Sequence, residues 1–367
     1  TELVKKYENF TDTTGCDTEL LAWGLDEYGI EFIDEIDSMH GFAYYDTQKN
    51  TITLSRDHAG IKPLFYAKID RGLVFASEVK GMLDIVPNAR TLDNLASSML
   101  SRVGTNPLRN TLFSNIKKVL PGETIVYNID NKILEYVKRT YIRPNADEDY
   151  NSDSKAAKKF ASDQKFNHHD VVVSPTEYLS AWEDSIWYME QPNYNPSNPM
   201  YCYTNKYLSD NDIVITLSGD MGDELLGGYS KYNNLFNSEE KPTSWKELLQ
   251  LWLERVKKGS YKLTEHPVDD KILLDELENC YSDELWNPQD PTASYMALDC
   301  VAQVPESFFS RNDYYGMAYG MEGRFPLASK KFMQYCLNIK SKHKFNGDSA
   351  KSLVKEAYQK FLPEYII

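Results

Sequence analysis

From Ile213 to Tyr229 the chain reads Ile-Val-Ile-Thr-Leu-Ser-Gly-Asp-Met-Gly-Asp-Glu-Leu-Leu-Gly-Gly-Tyr, an order that few folds accommodate. A short run of β-branched and aliphatic residues, entered from the polar Ser209-Asp210-Asn211-Asp212, reads as a strand buried on both faces of a parallel sheet. Gly219 and Gly222 then let the backbone take a positive φ or approach a ligand closely, and Asp223 and Glu224 open a short helix. A strand feeding a glycine loop at a helix start is where open α/β sheets bind ligands, because unpaired N–H groups and the helix dipole favour anions. Carboxylates in that loop would repel a bare phosphate. They are at home if a divalent cation lies between, since Mg2+ is commonly held by one or two carboxylates plus phosphate oxygens. An acidic first turn that complements the helix dipole, closed by a Gly-Gly turn, satisfies the same pattern, which by itself leaves both readings open.

With 367 residues there is room for two domains with full cores. Thr1 to Gly29 is helical in character, and Thr1 is no N-terminal nucleophile because no strand or glycine loop seats it. From Gly41 the period becomes two. Phe42–Asp46, Thr51–Arg56, Leu64–Lys68 and Leu73–Ser77 are short strands separated by turn residues, read as an antiparallel meander, and the pair Glu123–Ile129 and Ile133–Val137 follows Pro121-Gly122. This β-rich domain ends near Pro144, and the acidic stretch from Asn145 to Asp153 reads as a linker.

Beyond it strands and helices alternate, which implies a parallel sheet. A helix over 153–162 and a strand over Asp170–Val173 come first. Ser174-Pro175-Thr176-Glu177 is a capping box with proline at the first helical position, Leu179, Trp182, Ile186 and Met189 form the expected buried stripe, and Pro192 stops the helix. A helix through Tyr201–Leu208 leads to the central strand. After Tyr232 the pattern is nearly all helical, with a second capping box at Ser244-Trp245-Lys246-Glu247 and helices over Lys271–Cys280, Pro291–Ala302, Glu306–Gly320, Lys330–Asn338 and Ser349–Phe361.

A formal net charge of −15 argues against nucleic acid or an anionic membrane as partner, since either calls for a basic face. No apolar run reaches the length of a membrane span, and the start carries no signal-peptide pattern. The five cysteines are scattered without a Cys-x-x-Cys pair, which reads as reduced thiols of a cytoplasmic protein and no zinc site.

Ser218 to Tyr229 resembles the Ser-Gly-Glu-Gly-x-Asp-Glu-x-x-Gly-Gly-Tyr signature of glutamine-dependent asparagine synthetases. Arg56-Asp57-His58-Ala59-Gly60-Ile61-Lys62-Pro63-Leu64-Phe65-Tyr66, Phe75-Ala76-Ser77-Glu78-Val79-Lys80, Asp17-Thr18-Glu19 and Lys117-Lys118-Val119-Leu120-Pro121-Gly122-Glu123 resemble that family's glutaminase domain. His168-His169, Glu190-Gln191-Pro192, Met317 to Pro326 and Lys351 resemble its synthetase domain in the same order. The resemblance implies an α+β part followed by an α/β part: a partial N-terminal-nucleophile hydrolase-type β-rich sandwich, then a parallel-sheet nucleotide-binding domain with a helical C-terminal part. The implied domains are 1–144, glutaminase-like, and 145–367, synthetase-like.

The implied chemistry is amidation of aspartate through a β-aspartyl-adenylate, with ATP and Mg2+ as cofactors and ammonia from glutamine; a homodimer is compatible with it. Asp220 and Lys351 would be catalytic, Ser218, Gly219 and Asp223 would hold the nucleotide, and Asp223 would hold Mg2+. Asp17, Gly219, Asp220 and Tyr229 would bind substrates, Asp17 taking the glutamine α-amino group. Each also has a plainer role: Asp17 as a helix N-cap, Lys351 as a solvated helix residue, Glu322 and Arg324 as a structural ion pair. His168-His169 is not a metal pair, because adjacent side chains diverge.

Several features depart from the family. Its nucleophilic cysteine, arginine and Asn-Gly-Glu oxyanion segment have no counterpart in the chain, and its Ser-Gly-Gly-x-Asp-Ser pyrophosphate loop is missing between Pro144 and Asn151. Asp220 replaces the usual Glu, and Ser329 an Asp. The alternatives are therefore a shortened homologue that binds or regulates without catalysing, and a related synthetase acting on another acid.

Overall fold

The computed structural model describes residues 6–7, 10–11, 13–139, 163–166, 173–192, 195–255, 267–345 and 351–361. Expectations that fall on Thr1, the linker after Asn145, the 153–162 helix, His168-His169 and most of the Asp170–Val173 strand lie outside the described residues.

The first half begins with α1 (Asp17–Tyr28), whose inward face carries Leu20, Gly24 and Leu25; the Phe32 ring lies where a Cβ on Gly24 would stand. Strands β1 (Gly41–Asp46) and β2 (Thr51–Arg56) form a hairpin, and Asp46 accepts the Gln48 and Lys49 N–H groups in its turn. The chain then builds β3 (Phe65–Ile69), β4 (Gly72–Ala76), α2 (Asn94–Val103), β5 (Lys117–Lys118), β6 (Glu123–Asn128) and β7 (Ile133–Arg139). One antiparallel sheet runs β1-β2-β6-β7 and a second runs β4-β3-β5. Ile52, Leu54, Ile125 and Leu134 of the first sheet pack against Tyr66 and Leu73 of the second, so the two layers share a core, as a β-sandwich does.

The first four strands are thus not one meander. Between β2 and β3 the segment Asp57–Pro63 is buried, Lys62 only partly so, and carries the chain from one sheet to the other. Asp57, with no exposed surface, holds that crossing: its carboxylate accepts the N–H groups of His40, Ala59, Ile61 and Lys62 at 2.9–3.2 Å. The Arg56 guanidinium reaches the Gly60, Lys62 and Val119 carbonyls from the same corner.

The second half opens with α3 (Pro175–Met189), where the Ser174–Glu177 capping box forms as expected. Its buried residues are Ala181, Ser185 and Met189, whereas Leu179, Ile186 and Trp187 are exposed; the expected stripe is rotated, because the small Ala181 and Ser185 face the neighbouring helices. Then follow α4 (Asn198–Asp210), β8 (Ile215–Leu217), α5 (Gly222–Leu226), α6 (Ser230–Asn237), α7 (Trp245–Glu254), α8 (Asp270–Cys280) and α9 (Pro291–Ala302). A π-turn at Pro305–Phe309 leads into α10 (Ser310–Ala318), β9 (Glu322–Arg324), α11 (Lys330–Leu337), α12 (Ser341–Lys344) and α13 (Ser352–Tyr358). Every residue of α9 from Thr292 to Ala302 is buried at the centre of a helical layer, the polar Thr292, Ser294 and Asp299 among them.

Strands β8 and β9 pair in parallel, with Ile215 opposite Glu322 and Leu217 opposite Arg324. Contrary to expectation, β8 is not buried on both faces: Leu217 is 75% exposed and Val214 63%. Among the described residues β9 is its only neighbour.

The halves are joined by core as well as by polar ties. The largest apolar cluster takes Ala59, Ile61, Met99, Val103, Leu108 and Leu120 from the first half and Leu248, Trp252, Tyr281 and Phe309 from the second. Lys62 pairs with Asp313, Lys118 with Glu306 at 2.9 Å, and the imidazole Nε2 of His58 lies 3.0 Å from the Ala328 carbonyl. Among the described residues no helix is long and apolar enough to cross a membrane.

Candidate functional site

The loop after β8 is shaped by the way its strand ends. Ser218 N–H donates to the Arg324 carbonyl at 2.9 Å and prolongs the parallel ladder by one rung. The turn that follows places its left-handed residue at Met221, φ +79, and not at either glycine; the Met221 side chain is buried and anchors the turn in the core. Gly219 has open space where a Cβ would stand, so its freedom serves access to the backbone, while Gly222 lies under the Leu327 side chain.

Asp220 is half-buried. Its Oδ2 accepts the Ser218 hydroxyl at 2.6 Å and the Asn312 amide at 2.7 Å, and its backbone N–H returns to Ser218 Oγ at 3.2 Å. Asp223 lies in the first turn of α5, and its Oδ1 is 2.6 Å from the ammonium of Lys351, which precedes α13 with φ +57. The Gly-Gly turn that closes α5 explains how the pair fits. Gly227 takes φ +73 as the C-cap, and a Cβ on Gly228 would lie 2.6 Å from Asp223 Cγ and 2.6 Å from Lys351 Cε, so a side chain there would push the pair aside.

Behind this loop lies a buried polar layer. Glu224 is nearly inaccessible and its Oε1 accepts no hydrogen bond among the described residues; burial pushes its carboxyl up to about 7, with Asp299 and Asp223 adding in the same direction. Burial likewise raises the Tyr229 hydroxyl well above its ordinary range. Asp299, fully buried on α9, accepts from Tyr232 at 2.7 Å and Trp252 at 2.8 Å and pairs with Lys231 at 2.6 Å.

Asp17 is elsewhere. It is the first residue of α1, whose N-cap is Cys16, so the N-cap role does not hold. It lines a cavity of about 1060 Å³ between the halves together with Thr18, His40, Lys62, Ser77, Glu78 and Asp313. Burial lowers the His40 pKa, and its ring nitrogens face the Ser38 and Ser55 hydroxyls at 3.0 and 3.3 Å. Ser218, Gly219, Asp220, Asp223, Tyr229 and Lys351 are therefore gathered at one loop, and Asp17 is in a separate cavity. Glu322 and Arg324 do pair, at 3.0 Å on the surface, and Ser329 caps α11.

One residue escaped sequence reasoning and another was marked without its role. Asn312 touches Asp220 but stands just ahead of the Met317–Pro326 motif, so nothing in its neighbourhood marked it. Glu190 was marked only by resemblance; its carboxylate accepts the Val79 and Lys80 N–H groups, both at 2.9 Å, across the junction of the halves.

A family model described as asparagine synthase matches residues 132–367, and one described as glutamine amidotransferase domain matches residues 1–141. The chain is 24% identical over 403 positions to asparagine synthetase B [glutamine-hydrolyzing] of Escherichia coli, covering 95% of this chain and 63% of that protein. It is 24% identical over 451 positions to asparagine synthetase [glutamine-hydrolyzing] 1 of Bacillus subtilis, covering 98% of this chain and 71% of that protein. Its match to asparagine synthetase [glutamine-hydrolyzing] 1 of Arabidopsis thaliana is also 24% identical and covers 65% of this chain and 48% of the plant protein. The chain thus spans less than two thirds of the length of the first and third of these relatives, and the two bacterial alignments run over more positions than the chain has residues. With an asparagine synthase match that extends over more than half of its length, the chain belongs to the asparagine synthase family.

Proposed function

We propose that this protein is an ATP-dependent asparagine synthetase of the glutamine-hydrolysing type, with a glutaminase-like part over 1–144 and a synthetase-like part over 145–367. The observation that carries the reading is the 2.6 Å contact between Asp223 and Lys351, two residues far apart in sequence that the resemblance had assigned to one site. Aspartate, ATP, and glutamine or ammonia are the proposed substrates, and the cytoplasm the proposed compartment.

The donors suit Mg2+: Asp223 offers one partly exposed carboxylate, which is what this ion takes when substrate phosphates supply the remaining oxygens. When bound, Mg2+ would neutralise the charge of those phosphates. The chain's own groups do the rest. Gly219 opens the backbone to the acyl-adenylate, and Ser218 and Gly219 line the nucleotide side of the loop. Asp220 accepts a proton from the attacking ammonia through Oδ1, the oxygen left without a hydrogen bond among the described residues. Lys351 stabilises developing charge on the pyrophosphate, and Tyr229 backs the substrate end of the loop. Asp17, in the separate cavity, holds the glutamine α-amino group.

With ATP, Mg2+, aspartate and ammonium, the purified protein should release pyrophosphate in an aspartate-dependent manner, and Asp223→Ala should abolish the release. A wild-type protein that binds ATP without releasing pyrophosphate would overturn the enzyme reading. It would favour a shortened homologue acting by binding.

A further inference from the structure

We propose that Asn312 is a positioning residue that orients Asp220, an inference that rests on the reading of Asp220 as a proton acceptor. A terminal carboxylate rotates freely about χ2, so a half-buried Asp has no preferred oxygen unless donors select one. Here both side-chain donors converge on Oδ2: the Ser218 hydroxyl at 2.6 Å and the Asn312 amide at 2.7 Å. The Ser218 bond is local, two residues away on the same loop, and moves with it. Asn312 comes from α10, and its amide is itself fixed by a second bond to the Phe308 carbonyl at 3.0 Å.

The helix that presents Asn312 is held from its other side. The next residue, Asp313, pairs with Lys62 of the first half at the wall of the large cavity, and the preceding Arg311 stacks its guanidinium on the Tyr201 ring at 3.8 Å. Successive residues of α10 thus tie the loop to two neighbouring elements. An aspartate is one methylene shorter than the glutamate that the resemblance places at this position, so its carboxylate stays close to the backbone and depends on an outside donor to fix its rotation. A hydrogen bond to a charged carboxylate is short and strong enough to set that orientation. With Oδ2 saturated, Oδ1 is the face left to meet a nucleophile.

The test compares wild type, Asn312→Leu and Asn312→Asp as full chains, by crystallography and by ammonium-driven pyrophosphate release. Leu keeps the volume and removes the donor; Asp keeps the shape and adds a like charge. Asn312→Leu should lower kcat about tenfold, the worth of one hydrogen bond to a charge, with KM for ATP and aspartate within about twofold. Asn312→Asp should lower kcat further, and Asp220 should rotate in both variants. If Asn312→Leu does not fold, Asn312→Ala carries the same expectation. Unchanged kcat together with an unmoved Asp220 overturns the proposal, as does a rise in KM alone. If the wild type releases no pyrophosphate, the enzyme reading fails, and Asp220 in the crystal structures still decides whether Asn312 orients it.

Discussion

Asp57 and Asp223 both stand in glycine-bearing segments that follow a strand, yet their surroundings differ in the source of the partners. Asp57 is wholly buried and takes backbone N–H groups from four residues, so its charge is spent on holding the crossing from one sheet to the other. Asp223 is partly exposed and its partner is one mobile-ended side chain, the Lys351 ammonium. A carboxylate saturated by main chain is architecture, because nothing can displace its donors without unfolding. One balanced by a single lysine remains exchangeable, and exchange is what a ligand site requires.

The sharpest way to break this comparison is to neutralise both. Asp57→Ala leaves four N–H groups, those of Ala59 and Ile61 buried and those of His40 and Lys62 partly so, without this acceptor and should destabilise the fold by about 3–5 kcal/mol, read by urea denaturation. Asp223→Asn should change stability by less than about 1 kcal/mol, as expected of a half-exposed pair, while abolishing pyrophosphate release. A stable Asp57→Ala would remove the distinction.

Gly228→Ala comes next. Its Cβ would push aside the Asp223 carboxylate and Lys351, so activity should fall nearly as far as in Asp223→Asn, with a stability loss below about 1 kcal/mol because both are partly exposed side-chain ends. Glu190→Gln should cost about 1–2 kcal/mol, because Val79 and Lys80 donate to different carboxylate oxygens and an amide keeps only one acceptor oxygen, turning its NH2 donor toward the other N–H.

The smallest effect concerns pH. Burial holds the His40 pKa below its ordinary value, so the folded protein disfavours the imidazolium. That contribution is present above the unfolded-state pKa near 6.5 and is lost as pH falls through the lower folded value, so stability should decline on acidification below about pH 6.5. In His40→Phe that part of the pH dependence should be absent in parallel melts.

Much of the first half was legible, because alternating residues and turn signals act locally: β1, β2, β6 and β7 fall where the period of two placed them. What the period could not reveal was that Asp57–Pro63 crosses between sheets, since that depends on one carboxylate meeting distant N–H groups. In the second half the Ser174 cap was readable and the buried face of α3 was not, because small residues can face a helix neighbour as well as large ones. Of the site, the Ser218–Tyr229 loop was readable as strand, turn and helix, but the left-handed position went to Met221, whose buried side chain outweighs the strain. The Asp223–Lys351 pairing was reachable only through resemblance, and Asn312 not at all.

The exposed side chains around β8 bear on how this protein behaves in solution. Val214, Ile215 and Leu217 present their apolar side chains outward among the described residues, and such a patch is a contact surface for a second molecule. What keeps molecules apart is a net charge of −15, and salt screens that repulsion over distances beyond about 10 Å at 0.1 M. Self-association should therefore rise with ionic strength, the reverse of an assembly held by ion pairs, and light scattering along a salt gradient would separate the two.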